Sequence, residues 1–143
     1  MAEPRLTVRP ATTADAEALF AVLREFAMSY TPDRIEFQKN LPKLVESDRQ
    51  VLLVAAEDER VVGYAMASES MTLYANGRTV ELIELVAKEA RREHGIGRVL
   101  VEAVLEWARE RGCVEVNVPT RRAGAYYEKL GFEETAAFYR YKL

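Results

Sequence analysis

The hexapeptide Arg92-Glu93-His94-Gly95-Ile96-Gly97 separates a run with strand character from a run with helix character. Upstream, Val80-Glu81-Leu82-Ile83-Glu84-Leu85-Val86-Ala87 is mostly apolar and rich in leucine and β-branched residues. Downstream, between Arg98 and Arg111, Leu100, Val101, Val104, Leu105 and Ala108 recur at helical spacing. A glycine-rich turn that opens a helix aims several backbone N–H groups and the positive end of the helix dipole at one point. The turn therefore marks a strand–turn–helix unit and a site for a phosphate-bearing ligand.

The chain around it has 143 residues, which fits one domain spanning 1–143 and is long enough to bury a core. Twenty basic residues against twenty-three acidic ones give a net charge of −3, which argues against nucleic acid bound through bulk charge. Cys113 is the one cysteine, so no internal disulfide forms and a reducing cytoplasm is the expected compartment. Met1-Ala2-Glu3-Pro4-Arg5 has no signal-like apolar stretch. No run approaches the roughly 18 apolar residues of a membrane span. The expectation is a cytoplasmic domain with neither nucleic acid nor membrane as partner.

Leu6-Thr7-Val8-Arg9 alternates like a short strand, and Thr12 with Asp15 makes a capping box for a helix through Leu19, Val22, Leu23, Phe26 and Ala27. Pro32 interrupts. A second helix is predicted over Ile35–Glu46 with Pro42 inside it. Val51–Ala56 reads as a buried strand, and Val61–Ser68 as another that extends toward Tyr74. Asn76-Gly77 signals a hairpin into Thr79–Ala87. After the long helix come a strand at Cys113–Val118, a short helix at Ala123–Leu130 and a last strand near Phe138–Lys142. The order β-α-α-β-β-β-α-β-α-β predicts an α/β fold with a mixed, mostly antiparallel central sheet and helices on both faces.

Two phosphate-binding patterns compete for the glycine turn. A dinucleotide fold wants G-x-G-x-x-G, and here the third glycine position is Leu100. Glu115 lies at about the right distance for ribose binding but falls inside a strand. Nothing matches a Walker loop. Arg92-Glu93-His94-Gly95-Ile96-Gly97 does fit Arg-x-x-Gly-x-Gly, with Arg91 and Arg98 adding positive charge.

That pattern, in Leu85–Arg111, resembles the pyrophosphate-binding motif of the GNAT superfamily of acetyl-CoA-dependent N-acetyltransferases. A second block, Ala123-Gly124-Ala125-Tyr126-Tyr127-Glu128-Lys129-Leu130-Gly131-Phe132, resembles the later helix-and-turn motif of the same family. The likeness covers nearly the whole chain in the order of its elements. It departs at Ala87-Lys88-Glu89, where relatives often have Val-x-Pro, and at Thr120, where Asn is common.

The resemblance implies acetyl-CoA as co-substrate, no metal, and direct transfer of the acetyl group to a primary amine. Backbone N–H groups of Arg92, Glu93, His94, Gly95, Ile96, Gly97 and Arg98 are expected around the pyrophosphate. The edge of Leu85, Val86 and Ala87 is expected to pair with the pantetheine amides, and one of those N–H groups to hold the oxyanion. Thr120 is expected to touch the cofactor. Tyr127 is implied as the acid that protonates the departing thiolate, beside a role at the cofactor, whereas Tyr126 reads as a packing aromatic.

The base is sought at Glu81 and Glu84, on the strand before the turn. Residues three apart point to opposite faces unless a bulge intervenes, so at most one is expected to face the acceptor. Glu84 is preferred because it sits closer to the thioester-binding segment. His94, the single histidine, allows no multi-histidine metal site and reads as an exposed loop residue or a phosphate contact. Cys113 is expected to be buried and Trp107 to pack on the sheet. Arg121 and Arg122 read as a solvated helix start or as contacts to a cofactor phosphate, the former preferred.

The acceptor side is expected to involve Tyr30, Asp33, Glu36, Met71 and Tyr74, with carboxylates matched to a cationic small molecule or peptide amine. Homodimers are common among relatives. A non-catalytic acyl-CoA sensor would keep the glycine turn but has no need of Tyr127 and a strand carboxylate together. The pair favours the enzyme.

Overall fold

The computed structural model describes residues 5–26, 30–88, 95–120 and 123–143. Strands β1 (Leu6–Pro10), β2 (Gln50–Glu57), β3 (Arg60–Thr72) and β4 (Gly77–Ala87) pair antiparallel in chain order. Strand β5 (Glu115–Asn117) joins β4 in parallel, giving the sheet order β1-β2-β3-β4-β5. A parallel neighbour needs a crossover, and helix α3 (Ile96–Glu110) supplies it.

The sheet is covered on both faces. Ile96, Leu100, Val101, Val104 and Ala108 of α3 are buried against Ala65, Val80 and Leu82. On the other face, Leu19 and Val22 of α1 (Ala16–Phe26) and Leu41 of α2 (Arg34–Glu46) pack on Val54, Tyr64 and Val86. Successive residues of β2 serve opposite cores: Leu53 and Ala55 turn to α3, Leu52 and Val54 to α1 and α2. That double burial explains why Val51–Ala56 reads as a continuous apolar run rather than an alternating one.

Caps begin the first two helices. A 3-10 turn, Thr13–Asp15, leads into α1, and the Asp15 carboxylate accepts the Thr12 N–H at 2.8 Å. Arg9 grips both oxygens of Asp15 at 2.8 Å and, with the Thr12 bonds, holds that carboxyl below its ordinary range against the opposing pull of burial. Asp33 caps α2 by accepting the Glu36 N–H at 3.0 Å.

The far end of the sheet carries a buried charge cluster. Glu69 of β3 is buried and accepts from Arg111 Nε at 2.6 Å, just past α3, with Arg78 Nη1 of β4 at 3.7 Å. Arg78 Nη2 also donates to the Arg111 carbonyl at 2.8 Å, and the Arg111 guanidinium lies 4.7 Å from the Trp107 ring centre. Hydrogen bonding to Arg111 holds the Glu69 carboxyl below its usual range. Cys113, half-buried rather than buried, has Sγ 3.6 Å from Glu69 Oε2.

Two sequence expectations change. Strand β3 stops at Thr72, which pairs with Gly77, so Asn76-Gly77 closes a four-residue loop instead of centring a two-residue turn. Asn76 takes the left-handed conformation at φ 63°. The last strand predicted near 138–142 does not form, and 131–143 run without regular structure. Phe138, Tyr139, Tyr141 and Leu143 gain no burial there, so the segment has no apolar face to hold it to an edge. Among the described residues no helix is long and apolar enough to cross a membrane.

Candidate functional site

Strand β4 is the axis of the site. It pairs with β5 only from Thr79 to Glu81, and from Leu82 to Val86 no strand among the described residues lies on that side. The two strands therefore diverge, leaving an open backbone edge beneath the start of α3. Gly95 caps α3 in the left-handed region at φ 76°, and a Cβ built there meets nothing within 4 Å. The N–H groups of the first helical turn have no intrahelical acceptor. An edge able to pair with amides beside a glycine-capped helix start suits a ligand that combines an amide chain with a phosphate.

Gly97 lies one turn-step further on, and the Tyr126 hydroxyl is 2.7 Å from where its Cβ would stand. Only glycine lets that hydroxyl rest on the first turn of α3. Tyr126, read from sequence as a packing aromatic, does stack edge-on against Tyr127 at 5.3 Å, but its polar end sits at the helix start. Arg98 is exposed and pairs with Glu102 at 3.1 Å. Thr120 Oγ1 accepts the Ala123 N–H at 3.0 Å, so it helps to start α4 (Gly124–Lys129). Leu85 and Ala87 pack toward α3, and Val86 toward the opposite core. Ile96 is fully buried beneath the turn. Arg92, Glu93 and His94, with Arg121 and Arg122, lie outside the described residues.

Tyr127 is 7% exposed, in the core beneath α3, with its ring edge-on to Phe132 at 5.5 Å. Burial first, then the neighbouring Tyr126, pushes its phenol up to about 12. It stays protonated at any ordinary pH. No hydrogen bond ties its hydroxyl to another described residue.

The carboxylates behave differently from the expectation. Pairing between β3 and β4 shifts register between Met66 and Ala67, which face Glu84 and Leu82, and Ile83 is the extra residue of a bulge. Val80 and Leu82 point to the α3 core, so Glu81 between them points to the α1/α2 face. Glu84, beyond the bulge, accepts the Tyr64 hydroxyl at 2.7 Å on that same face. The bulge thus brings Glu81 and Glu84 to one side, where regular alternation would have separated them.

Glu84 reaches a cavity of about 510 Å³ between α1, α2 and the sheet. Asp33 and Glu36 also line it, as the acceptor reading expects. Tyr30, Met71 and Tyr74 do not; they are 66%, 70% and 99% exposed. Tyr64 was not singled out in the sequence, because its partnership with Glu84 depends on a cross-strand register that only the fold supplies. Its own phenol is pushed far above the ordinary range by burial and by the Glu84 charge. Among the described residues no group of His, Cys, Asp and Glu could hold a metal ion.

Known proteins are similar to this chain in sequence and in fold. An aminoglycoside N(6')-acetyltransferase type 1 of Stenotrophomonas maltophilia is 32% identical over 138 residues, covering 90% of this chain and 87% of that one. A structure described as a transcriptional regulator from Bacillus halodurans C-125 superposes with a TM-score of 0.88 at 24% identity, covering 97% of this chain and all of the other. The aminoglycoside N-acetyltransferase AAC(6')-Iy, solved in complex with CoA, superposes at 0.83 with 19% identity, covering 99% and 97%. At those identities the two structures speak for the fold alone. The family model for the acetyltransferase (GNAT) family matches residues 16–132, which include the open strand edge, the glycine turn, the paired tyrosines and the strand carboxylates. The chain belongs to the GNAT family of acetyltransferases.

Proposed function

We propose that the protein transfers the acetyl group of acetyl-CoA to a primary amine held in the cavity between α1, α2 and the sheet. One observation carries the reading: β4 offers its open edge and the glycine turn to one ligand, and its Glu84 side chain to a second cavity. Donor and acceptor would meet across a single strand. Acetyl-CoA supplies a thioester, whose C–S bond breaks as the C–N bond to the amine forms.

The residues of the chain then have separate tasks. Backbone N–H groups from Gly95 onward hold the phosphates, and Gly97 lets Tyr126 close over the first turn of α3. The free β4 edge aligns the pantetheine amides as an added strand and directs an N–H at the carbonyl oxygen as negative charge develops there. Glu84, oriented by Tyr64, removes one proton from the arriving ammonium so that its lone pair is free. Glu81 lies on the same face as a second carboxylate. Tyr127 gives its proton to the departing sulfur, and the second amine proton restores it through solvent. Overall, ammonium and thioester give amide, thiol and one released proton.

The test follows free thiol from acetyl-CoA across a panel of amines. Turnover should appear with at least one amine, and Glu84→Gln should lower kcat by about 10²-fold or more. Acetyl-CoA at about 100 times its Kd should stabilise the fold by about 2.7 kcal/mol, with no comparable effect of NAD. Binding of acetyl-CoA without turnover on any amine would instead favour a sensor of the cofactor.

A further inference from the structure

We infer that the acceptor amine is carried on an apolar body, an arylalkyl- or alkylamine, and not on a polyhydroxylated sugar; this rests on the cavity being the acceptor site of the proposed reaction. The walls are Leu19 and Leu23 of α1, Phe37 and Leu41 of α2, Leu52 of β2 and Met66 of β3. None of these side chains can hydrogen-bond a hydroxyl. The floor is the Tyr64–Glu84 pair, whose shared hydrogen bond already engages the tyrosine proton and one carboxylate oxygen.

The remaining polar side chains lie mostly at the rim. Asp33, Glu36, Asn40 and Lys43 are all exposed, and Gln50 is partly so. Asp33 is occupied with the Glu36 N–H, and Glu36 pairs with Lys39 at 3.5 Å. A sugar amine reaching Glu84 would leave its hydroxyls against leucine, phenylalanine and methionine, each desolvated without a partner. A ring or alkyl chain loses nothing there and removes apolar surface from water. The Glu84 carboxylate at the floor receives the amine, and the apolar walls select what it is attached to. The cavity volume of about 510 Å³ suits a one-ring amine within the usual range of small-molecule sites. This separates the chain from its relative named for aminoglycosides, although both share the family.

The experiment compares 2-phenylethylamine, glucosamine and sisomicin as acceptors by thiol release from acetyl-CoA, with binding of each amine measured by calorimetry. The expected result is a kcat/KM for 2-phenylethylamine at least tenfold above either sugar amine. Met66→Gln keeps the side-chain length and adds an amide to the wall. It should raise KM for 2-phenylethylamine at least fivefold with kcat little changed, and leave glucosamine equal or improved. A sugar amine acetylated as well as or better than 2-phenylethylamine overturns the inference while the transferase reading stands. If no amine turns over but 2-phenylethylamine alone binds, the cavity preference holds and the transfer reaction fails. Equal or absent binding of all three, with no turnover, overturns both.

Discussion

Tyr127→Phe removes one hydroxyl and keeps the ring against Tyr126 and Phe132. No hydrogen bond to another described residue is lost with that hydroxyl, so stability should change by no more than about 1.5 kcal/mol. The rate should respond on a different scale. A positioned general acid contributes about 10²–10⁴-fold, equivalent to roughly 2.7–5.5 kcal/mol of barrier. Burial disfavours the phenolate, and this gives the pH dependence its sign. With the phenol pushed up to about 12, the acid keeps its proton across the range where an exposed tyrosine would lose it near 10. The measurement is kcat by thiol release from pH 7 to about 10.5 for the wild type, Tyr127→Phe and Tyr126→Phe, with melting curves for each. The wild type should show no fall centred near pH 10 that Tyr127→Phe abolishes. Tyr127→Phe should be folded and at least about a hundredfold slower, with Tyr126→Phe far less affected. A loss under tenfold in folded Tyr127→Phe, or equal losses in both variants, refutes the assignment of the acid. A tyrosine-dependent limb near pH 10 refutes the argument from burial.

Gly95→Val puts a branched side chain into the open space before α3 and onto a left-handed backbone, so acetyl-CoA affinity should fall at least tenfold, about 1.4 kcal/mol. Unchanged affinity in a variant folded by circular dichroism would place the phosphates elsewhere. Glu69→Gln removes the buried carboxylate that faces the partly exposed Arg111 and Arg78 guanidinium groups, which should cost about 1.5–3 kcal/mol in denaturant unfolding. Because Arg111 holds the Glu69 carboxyl below its unfolded value, the wild type gains stability from it above pH of about 4.5 and loses it as pH falls further. The acid unfolding profile of Glu69→Gln should lack that component.

Much of the fold was legible because its signals are local. The spacing Ile96, Leu100, Val104 and Ala108 marks the buried face of α3, and Thr12 with Asp15 marks the entry to α1. Gly95, just before α3, takes a left-handed conformation that its lack of a side chain permits. What depends on distant partners was not legible. The face of Glu84 is set by a register shift against Met66 and Ala67, eighteen and fifteen residues from their β4 partners Glu84 and Leu82 in sequence and adjacent only in the sheet. Tyr64 acquires its role through that same pairing. The predicted last strand failed for the converse reason, since residues such as Tyr139 and Tyr141 favour strands but find no edge that buries them.

The bulge at Ile83 acts on β4 as a frameshift acts on a reading frame. Before it, even-numbered residues, Val80 and Leu82, address the α3 core; after it, even-numbered Glu84 and Val86 address the opposite one, and Leu85 and Ala87 take over the α3 side. One strand thereby writes two messages, one for each face of the sheet, out of a single run of residues. Deleting Ile83 would remove the extra residue and leave a regular ladder, with Leu82 still against Ala67 and Glu84 still against Met66 on the faces they now hold. Regular alternation with Ile83 kept would instead turn Leu85 toward the cavity between α1, α2 and the sheet, and would drive the Glu84 carboxylate, parted from Tyr64, into the apolar core beneath α3. By absorbing that one extra residue, the bulge keeps the Glu84 side chain beside Tyr64, facing the cavity between α1, α2 and the sheet.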